Sequence, residues 1–168
     1  MGLSGLGIFH TIIGIMAIVG AIVGFIRSGK VDLGTVSGKI YFYATIITAV
    51  TALGISKHGL NAGHAFSVFI IILVVAAYFL HSGKKGNNSA RYWENFLFSL
   101  SFFLSLIPTI NETFTRVPVV HPLAKDVKDP IIAQTLLFLF ILFIAGCVYQ
   151  FIKQKKINNK AASFYIEE

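Results

Sequence analysis

Five stretches without a charged side chain dominate this sequence. They cover residues 1–26, 40–56, 58–83, 95–111 and 130–152. Each is long enough for the roughly 17 to 25 residues with which an α-helix crosses the hydrocarbon core of a bilayer. Only 12% of the residues are charged, whereas an ordinary soluble domain has about a quarter. The pattern predicts a polytopic membrane protein and excludes a soluble monomer.

The charge-free stretches predict an all-α bundle of five transmembrane helices in a single domain. We expect helices at about residues 5–26, 37–56, 61–81, 92–110 and 130–152, followed by a polar tail over 153–168. The stretches and their connections use up the chain as far as Lys153, which leaves no room for a separate aqueous domain. The N-terminal stretch lacks a positively charged start, so we expect a membrane helix and not a cleaved signal peptide.

Basic residues are unevenly divided between the two ends of the predicted helices. Ten lie at the end that carries the C-terminal tail, and four lie at the opposite end. Cytoplasmic loops of membrane proteins carry an excess of lysine and arginine. We therefore expect an outside N-terminus, a cytoplasmic C-terminus and a bacterial inner membrane location. This explanation accounts for the net charge of +7 without a nucleic-acid partner.

Four of the five histidines are predicted to gather at the outer end of the bundle. His10 and His64 lie a few residues inside helices 1 and 3, and His58 and His121 lie in the outer loops. His81 is instead expected at the inner end of helix 3. The outer end is therefore the first place to look for a cofactor.

The helix 1 histidine has small neighbours on its own face. Gly7 and Gly14 lie three residues before and four residues after His10, which is one helical turn in each direction. Missing side chains let a flat macrocycle or another backbone come close. His10 and His64 could thus supply the axial ligands of a haem b in a small electron-transfer protein, with Arg116 meeting a propionate.

The same side chains allow a different prediction, a zinc or copper site at the outer face. Imidazole and carboxylate groups suit either metal. The ligands are dispersed along the sequence, without a compact pair of histidines. The candidate ligands are His10, His58, His64, His121 and Glu112.

A third interpretation needs no cofactor. Glycine is frequent in transmembrane helices for packing alone, and a histidine near a helix end can bond a neighbouring carbonyl. The protein would then be a non-enzymatic accessory or scaffold subunit. Its polar faces on helices 2 and 4 would pack against its own helices, a partner subunit or a second copy.

Few of the remaining polar residues are candidates for transport or catalysis. Glu94 is the one acid inside a predicted helix, and we interpret it as a surface ion pair with Arg91 near the headgroups. The serines of helix 4 have no histidine at an evidently matching depth, so an embedded hydrolase is not indicated. The single Cys147 excludes an internal disulfide.

Three short motifs resemble a known family. They are His10 with Gly14 in helix 1, the Gly38-Lys39-Ile40-Tyr41 start of helix 2 and the Gly63-His64 start of helix 3. Over about half of the chain, as far as Pro108, the sequence resembles a family of small bacterial membrane proteins defined by a domain of unknown function. Members tend to carry a further histidine shortly before the Gly-X-X-Tyr start, where this chain has Gly34 and Thr35. The resemblance implies a multi-helix membrane topology and names no reaction.

Overall fold

The computed structural model describes residues 4–55, 62–83 and 87–164. These ranges contain no strand. Each helix is long and apolar enough to cross a membrane, which confirms the prediction of an all-α chain with five such helices. They are α1 (Gly5–Ser28), α2 (Val36–Leu53), α3 (Ala62–Gly83), α4 (Asn88–Arg116) and α5 (Pro130–Phe164).

Consecutive helices pack against each other in the order of the chain. Side-chain contacts show that neighbours run antiparallel: Phe42 near the start of α2 stacks on Tyr78 near the end of α3. One end of the bundle, here called the basic end, holds the C-terminal parts of α1, α3 and α5. The other, the His10 end, holds the N-terminal parts of the same helices. A contact between Phe25 and Phe102, with ring centroids 5.3 Å apart, also joins α1 to α4.

Glycine and alanine bring α1 and α2 together. Ala21 is fully buried, and a Cβ added to Gly20 would lie 2.9 Å from the carbonyl oxygen of Ser37. The connection between the two helices comes closer still at Gly38, where an added Cβ would collide with the carbonyl group of Asp32. Lipid tails supply no hydrophobic force between helices, so close backbone packing of this kind stabilises the pair.

α4 extends beyond its predicted range at both ends. Asn87 caps its first turn by accepting a hydrogen bond from the Ala90 amide at 3.2 Å. The helix then continues through Pro108 to Arg116. The prediction of residues 92–110 followed the apolar residues alone. The thickness of the bilayer sets the length of an apolar stretch, but a helix can continue beyond it into the polar region.

α5 continues to Phe164, so the predicted helix end at residue 152 is wrong. Lysine and glutamine are good helix formers, so the helix continues where the sequence changes from apolar to polar residues. Gln154 also donates a hydrogen bond to Asn158, one turn later, at 2.8 Å. The first three helices match their predicted ends to within three residues.

The loop over 117–129 folds back on the end of α4, at the place where a small cap was predicted. The Ala124 amide donates a hydrogen bond to the Phe114 carbonyl at 2.9 Å. Asp129 accepts bonds from the amides of Lys125 and Ile131, at 3.0 and 3.2 Å. These bonds, the one from Lys125 first, hold the pKa of Asp129 below its usual range. Asp129 thereby caps the first turn of α5.

Replacement of Gly38 by alanine should destabilise the fold strongly. The added methyl group meets the backbone of Asp32, which cannot rotate away, and overpacking of this kind costs about 2 kcal/mol or more. The measurement is the thermal midpoint of unfolding in detergent micelles. Gly146→Ala is the matched control, since the described residues place no heavy atom within 4 Å of its new Cβ. Equal midpoints for the two variants would contradict the packing assigned to Gly38.

Candidate functional site

α4 carries more buried polar side chains than any other described helix. Four of them are no more than 6% exposed. Their partners lie on three different helices, so α4 is the polar centre of the bundle. The contacts are Ser101 with Tyr41 of α2, Glu94 with His81 of α3, and Ser99 and Asn95 with Gln150 and Gln154 of α5.

The charged cluster of His81, Arg91 and Glu94 lies at the basic end. Glu94 has no exposed surface, and its Oε1 lies 2.7 Å from Nδ1 of His81. Its other oxygen accepts a hydrogen bond from Arg91 Nη1, while Nη2 of Arg91 donates to the His81 carbonyl at 3.2 Å. The predicted ion pair is confirmed, but its surface location is wrong. His81, at the end of α3, contributes to covering the carboxylate.

The His81 ring has two possible hydrogen-bond roles in this arrangement. Nδ1 donates to Glu94 when it carries a proton, whereas the contact with Nη1 of Arg91 at 3.5 Å would need Nδ1 as an acceptor. The contact with Glu94 is the shorter of the two and favours the first role. In that tautomer Nε2 keeps a lone pair, and the side chain is 27% exposed.

A file of hydroxyl groups follows one side of α2. It consists of Tyr41, Thr45, Thr48 and Thr51, spaced four, three and three residues apart. The Tyr41 hydroxyl lies 2.7 Å from Ser101 of α4. The hydroxyl oxygens of Thr45 and Thr48 are buried without a hydrogen-bond partner among the described residues. The hydroxyl file therefore runs from the middle of the bundle to the His10 end.

His10 meets the end of this file. Its Nδ1 lies 3.1 Å from the hydroxyl oxygen of Thr51. The single Thr51 proton has the carbonyls of Ile47 and Thr48 within reach, each at 2.9 Å. Nδ1 of His10 donates to Thr51 in the tautomer that keeps a lone pair on Nε2, and it accepts from Thr51 in the other tautomer.

His64 also reaches the last turn of α2, from the side of α3. It is 8% exposed, and its Nε2 donates to the carbonyl of Leu53 at 3.2 Å. α2 thus stands between His10 on α1 and His64 on α3. An axial-ligand role for His64 would require Nε2 to leave Leu53, or the ring to bind through Nδ1.

Of the other predicted site residues in the described ranges, Glu112 lies near enough to His10 for a charge interaction. Arg116 pairs with Glu112 on the exposed last turn of α4, with 2.9 Å between Nε and Oε2. His121 is exposed in the loop before α5, and His58 lies outside the described residues. Within the described ranges, no three His, Cys, Asp or Glu side chains form a group that could hold a metal ion. The zinc or copper site stays a prediction.

Sequence reasoning missed the partners of α4. His81 and Glu94 lie near the two ends of the short connection between α3 and α4. Their contact could therefore have been predicted from the sequence. Gln150 and Gln154 are one turn apart near the end of α5, a spacing that marks one face. Gln150 donates to the carbonyl of Gly29 at 3.0 Å while accepting from Ser99. It thereby joins three helices.

Replacement of Glu94 by glutamine should lower the stability of the bundle by about 2 kcal/mol, because the charges of the Arg91–Glu94 pair no longer balance beside a fully buried side chain. Chemical denaturation in mixed micelles, followed by circular dichroism, measures this loss. Glu112→Gln is the control and should change stability by about 0.5 kcal/mol or less, because its ion pair is exposed. Similar losses in both variants would show that burial of Glu94 does not matter for stability.

Comparisons with protein-family models, with curated proteins and with solved structures give no match to this chain. The resemblance to a family with a domain of unknown function stays a prediction. The charged cluster, the hydroxyl file and His10 are the features of the structure that bear on function.

Proposed function

We propose that this multi-pass membrane protein transfers protons across the bilayer, between the charged cluster and His10. The observation that carries the proposal is Glu94, an acid with no exposed surface inside an apolar helix. Ionisable side chains in membrane helices are costly, and they mark ion paths and proton relays. Five membrane-spanning helices supply the barrier that such a relay must cross.

The first step takes place at His81. Its Nε2 accepts a proton from water at the basic end while Nδ1 remains bonded to Glu94. The imidazolium then stands beside a carboxylate, so the added positive charge has a counter-charge. Transfer of the Nδ1 proton to Glu94 gives a neutral acid and a neutral imidazole, and the proton has moved inwards. Arg91 stays protonated throughout.

The hydroxyl file supplies the next positions. A hydroxyl group both donates and accepts, so it can pass on a proton by taking up one and releasing another. Thr45 and Thr48 are buried without a protein partner among the described residues, and such groups are the ones that internal water binds. The file ends at Thr51, whose hydroxyl oxygen lies 3.1 Å from Nδ1 of His10. The last transfer uses the His10 tautomer with its proton on Nε2: Nδ1 accepts the proton from Thr51, and Nε2 releases its own at the His10 end.

Phe98 interrupts the path at one point. It lies one turn after Glu94 on α4, has no exposed surface, and packs edge-on against Tyr41 with centroids 6.2 Å apart. We propose that this ring is the barrier to free conduction. Movement of Phe98 would open contact between the charged cluster and the Tyr41 hydroxyl.

The proposal includes an orientation and a location. Arg27, Lys30, Arg91 and Lys153 lie at the basic end, and an excess of basic residues indicates the cytoplasmic side. The N-terminus would then face outwards and His81 the cytoplasm, in a bacterial inner membrane. Partner subunits or a second copy would meet the exposed apolar faces of the helices, which otherwise contact lipid.

Proton flux into proteoliposomes that enclose a pH-sensitive dye measures the proposed activity. The intact protein should accelerate the change of internal pH when a potassium gradient and valinomycin set the membrane potential. His81→Gln and His10→Gln should each reduce the rate to that of protein-free vesicles, because each removes a proton-accepting ring. His121→Gln is the control, since that side chain is exposed in a loop.

Two results would overturn the proposal. One is a rate for the intact protein that equals the rate for protein-free vesicles in both directions of the potential. The other is an unchanged flux in both folded histidine variants. Gel filtration of each variant before reconstitution separates a lost relay from a failure to fold.

One observation favours a second candidate, the small b-type haem electron-transfer protein. A ring nitrogen that binds iron keeps its lone pair while the other nitrogen donates to an oxygen, which orients the ring. His10 has this arrangement in the tautomer that donates to Thr51. The predicted second ligand, His64, lies across α2 from His10 and bonds Leu53, so α2 would have to move before both rings could hold one haem. Arg116 would meet a propionate after releasing Glu112.

A reduced-minus-oxidised absorption spectrum tests the haem candidate. Protein purified from haem-replete cells should show sharp α and Soret bands, and His10→Ala should abolish both. His121→Ala should leave both bands intact. Purified protein without a Soret band would eliminate this candidate and leave the proton-transfer proposal untouched.

A further inference from the structure

A cleft of about 290 Å³ lies between α1 and α5, above the surface of α4. Leu142 and Tyr149, which line it, are about half exposed, so the cleft opens towards the bilayer. Its polar side chains, Ser99 and Gln150, already bond each other at 3.0 Å. The rest of the lining is mainly apolar and includes Phe25 of α1, Phe102 and Leu106 of α4, and Leu139 and Phe143 of α5.

The cleft follows only one half of the membrane-spanning part of α5. Its lining runs from Leu139 to Gln150, which is about 16 Å along the helix axis. The charge-free stretch covers residues 130–152, so its middle lies near Ile141 and the cleft occupies the half towards the basic end. The hydrocarbon core of a bilayer is about 30 Å thick. The cleft therefore has the length of one leaflet.

Lys153 stands at the polar end of this cleft. Its Nζ lies 5.7 Å from the centroid of the Tyr149 ring, and a Cβ added to Gly29, which also lines the cleft, would lie 3.2 Å from it. The ammonium group has three N–H donors, and one of them bonds the Ser28 carbonyl at 2.8 Å. Two donors thus remain for an anion at the point where the apolar cleft ends.

The basic end holds more positive charge than its carboxylates neutralise. Lys30 and Arg91 have ion-pair partners. In the part of the chain that the structure describes, no Asp or Glu lies within 4 Å of five further cations. Such an excess attracts lipids with a net negative headgroup and disfavours headgroups that carry a cation of their own. The five are Arg27, Lys39, Lys153, Lys155 and Lys156.

We propose that this cleft binds one anionic phospholipid from the leaflet at the basic end. An acyl chain would lie between α1 and α5, in contact with the apolar side chains of α4. The phosphate would accept charge-assisted hydrogen bonds from Nζ of Lys153. Lys153 already joins α5 to the end of α1 through Ser28, so the lipid would fill the space below that contact.

The length of the cleft and the charge at its end together favour this occupant over two others. A helix from a second copy would need an apolar surface over the full thickness of the bilayer, whereas the cleft stops near its middle. A free phosphate ion would use Lys153 but not the apolar walls. A phospholipid has a chain of one leaflet's length and a phosphate at its polar end, so it matches both features.

Mass spectrometry of the intact, full-length protein released from detergent counts the bound lipids directly. The probes are phosphatidylglycerol and phosphatidylcholine with the same two oleoyl chains. The first phosphatidylglycerol should bind saturably and roughly tenfold more tightly than phosphatidylcholine, the equivalent of one charge-assisted hydrogen bond. Glycerophosphoglycerol, which is the same headgroup without chains, should not displace it in hundredfold excess.

The matched variants are Lys153→Gln and Lys39→Gln. Both lysines lie at the basic end without a carboxylate within 4 Å among the described residues, but Lys39 is on α2, away from the cleft. Lys153→Gln should bind the two lipids equally, while Lys39→Gln should keep the preference of the intact protein. If Lys153→Gln fails to fold, the two lipids and the chain-free headgroup still decide the proposal on the intact protein.

Three results would overturn the proposal. The first is equal affinity of the intact protein for the two lipids, which would mean a cleft that takes any acyl chain. The second is an equal loss of preference in both lysine variants, which would mean diffuse attraction to the basic end. The third is displacement by glycerophosphoglycerol, which would mean an anion site that makes no use of the cleft.

Discussion

The bilayer offers no hydrogen bonds to the interior of this protein, and the arrangement of the helices depends on that constraint. A polar group in hydrocarbon costs several kcal/mol unless another protein group satisfies it, by general estimates of about 2 to 7 kcal/mol. α4 carries four buried polar side chains, and each finds a partner on another helix. The polar side chains of α4 therefore determine which helices pack against it and at what depth in the bilayer they do so.

Polar side chains join α4 to its neighbours, whereas small residues join α1 to α2. Tyr41, His81 and Gln150 bring one hydrogen-bonding group each from α2, α3 and α5. α1 has no such contact in this set; it packs closely on α2 through Gly20 and Ala21 instead. Close backbone packing and interhelical hydrogen bonds are the two forces available between helices in lipid. α1 and α2 use both, because the His10 ring also bonds the Thr51 hydroxyl.

The sequence predicted the helices well because the absence of charge over a bilayer's length is a direct physical requirement. The predicted end of α5 was wrong, because the apolar stretch ends at Ile152 and the helix continues to Phe164. It also misjudged Glu94, since hydropathy along the chain contains no information about which side chain covers an acid. His10 was located correctly on α1, but its partner Thr51 depends on how α1 and α2 pack. Tertiary contacts of this kind leave no local signal.

The two ends of the proposed relay differ in their charge balance. At His81 an added proton would stand beside Glu94, and Arg91 lies against the same carboxylate. At Thr45 and Thr48 no carboxylate accompanies the hydroxyl groups of the file, so a proton there would be an isolated charge in a region of low dielectric constant. In the proposed relay the free-energy barrier would therefore extend from Phe98 along the hydroxyl file, in the middle of the bundle.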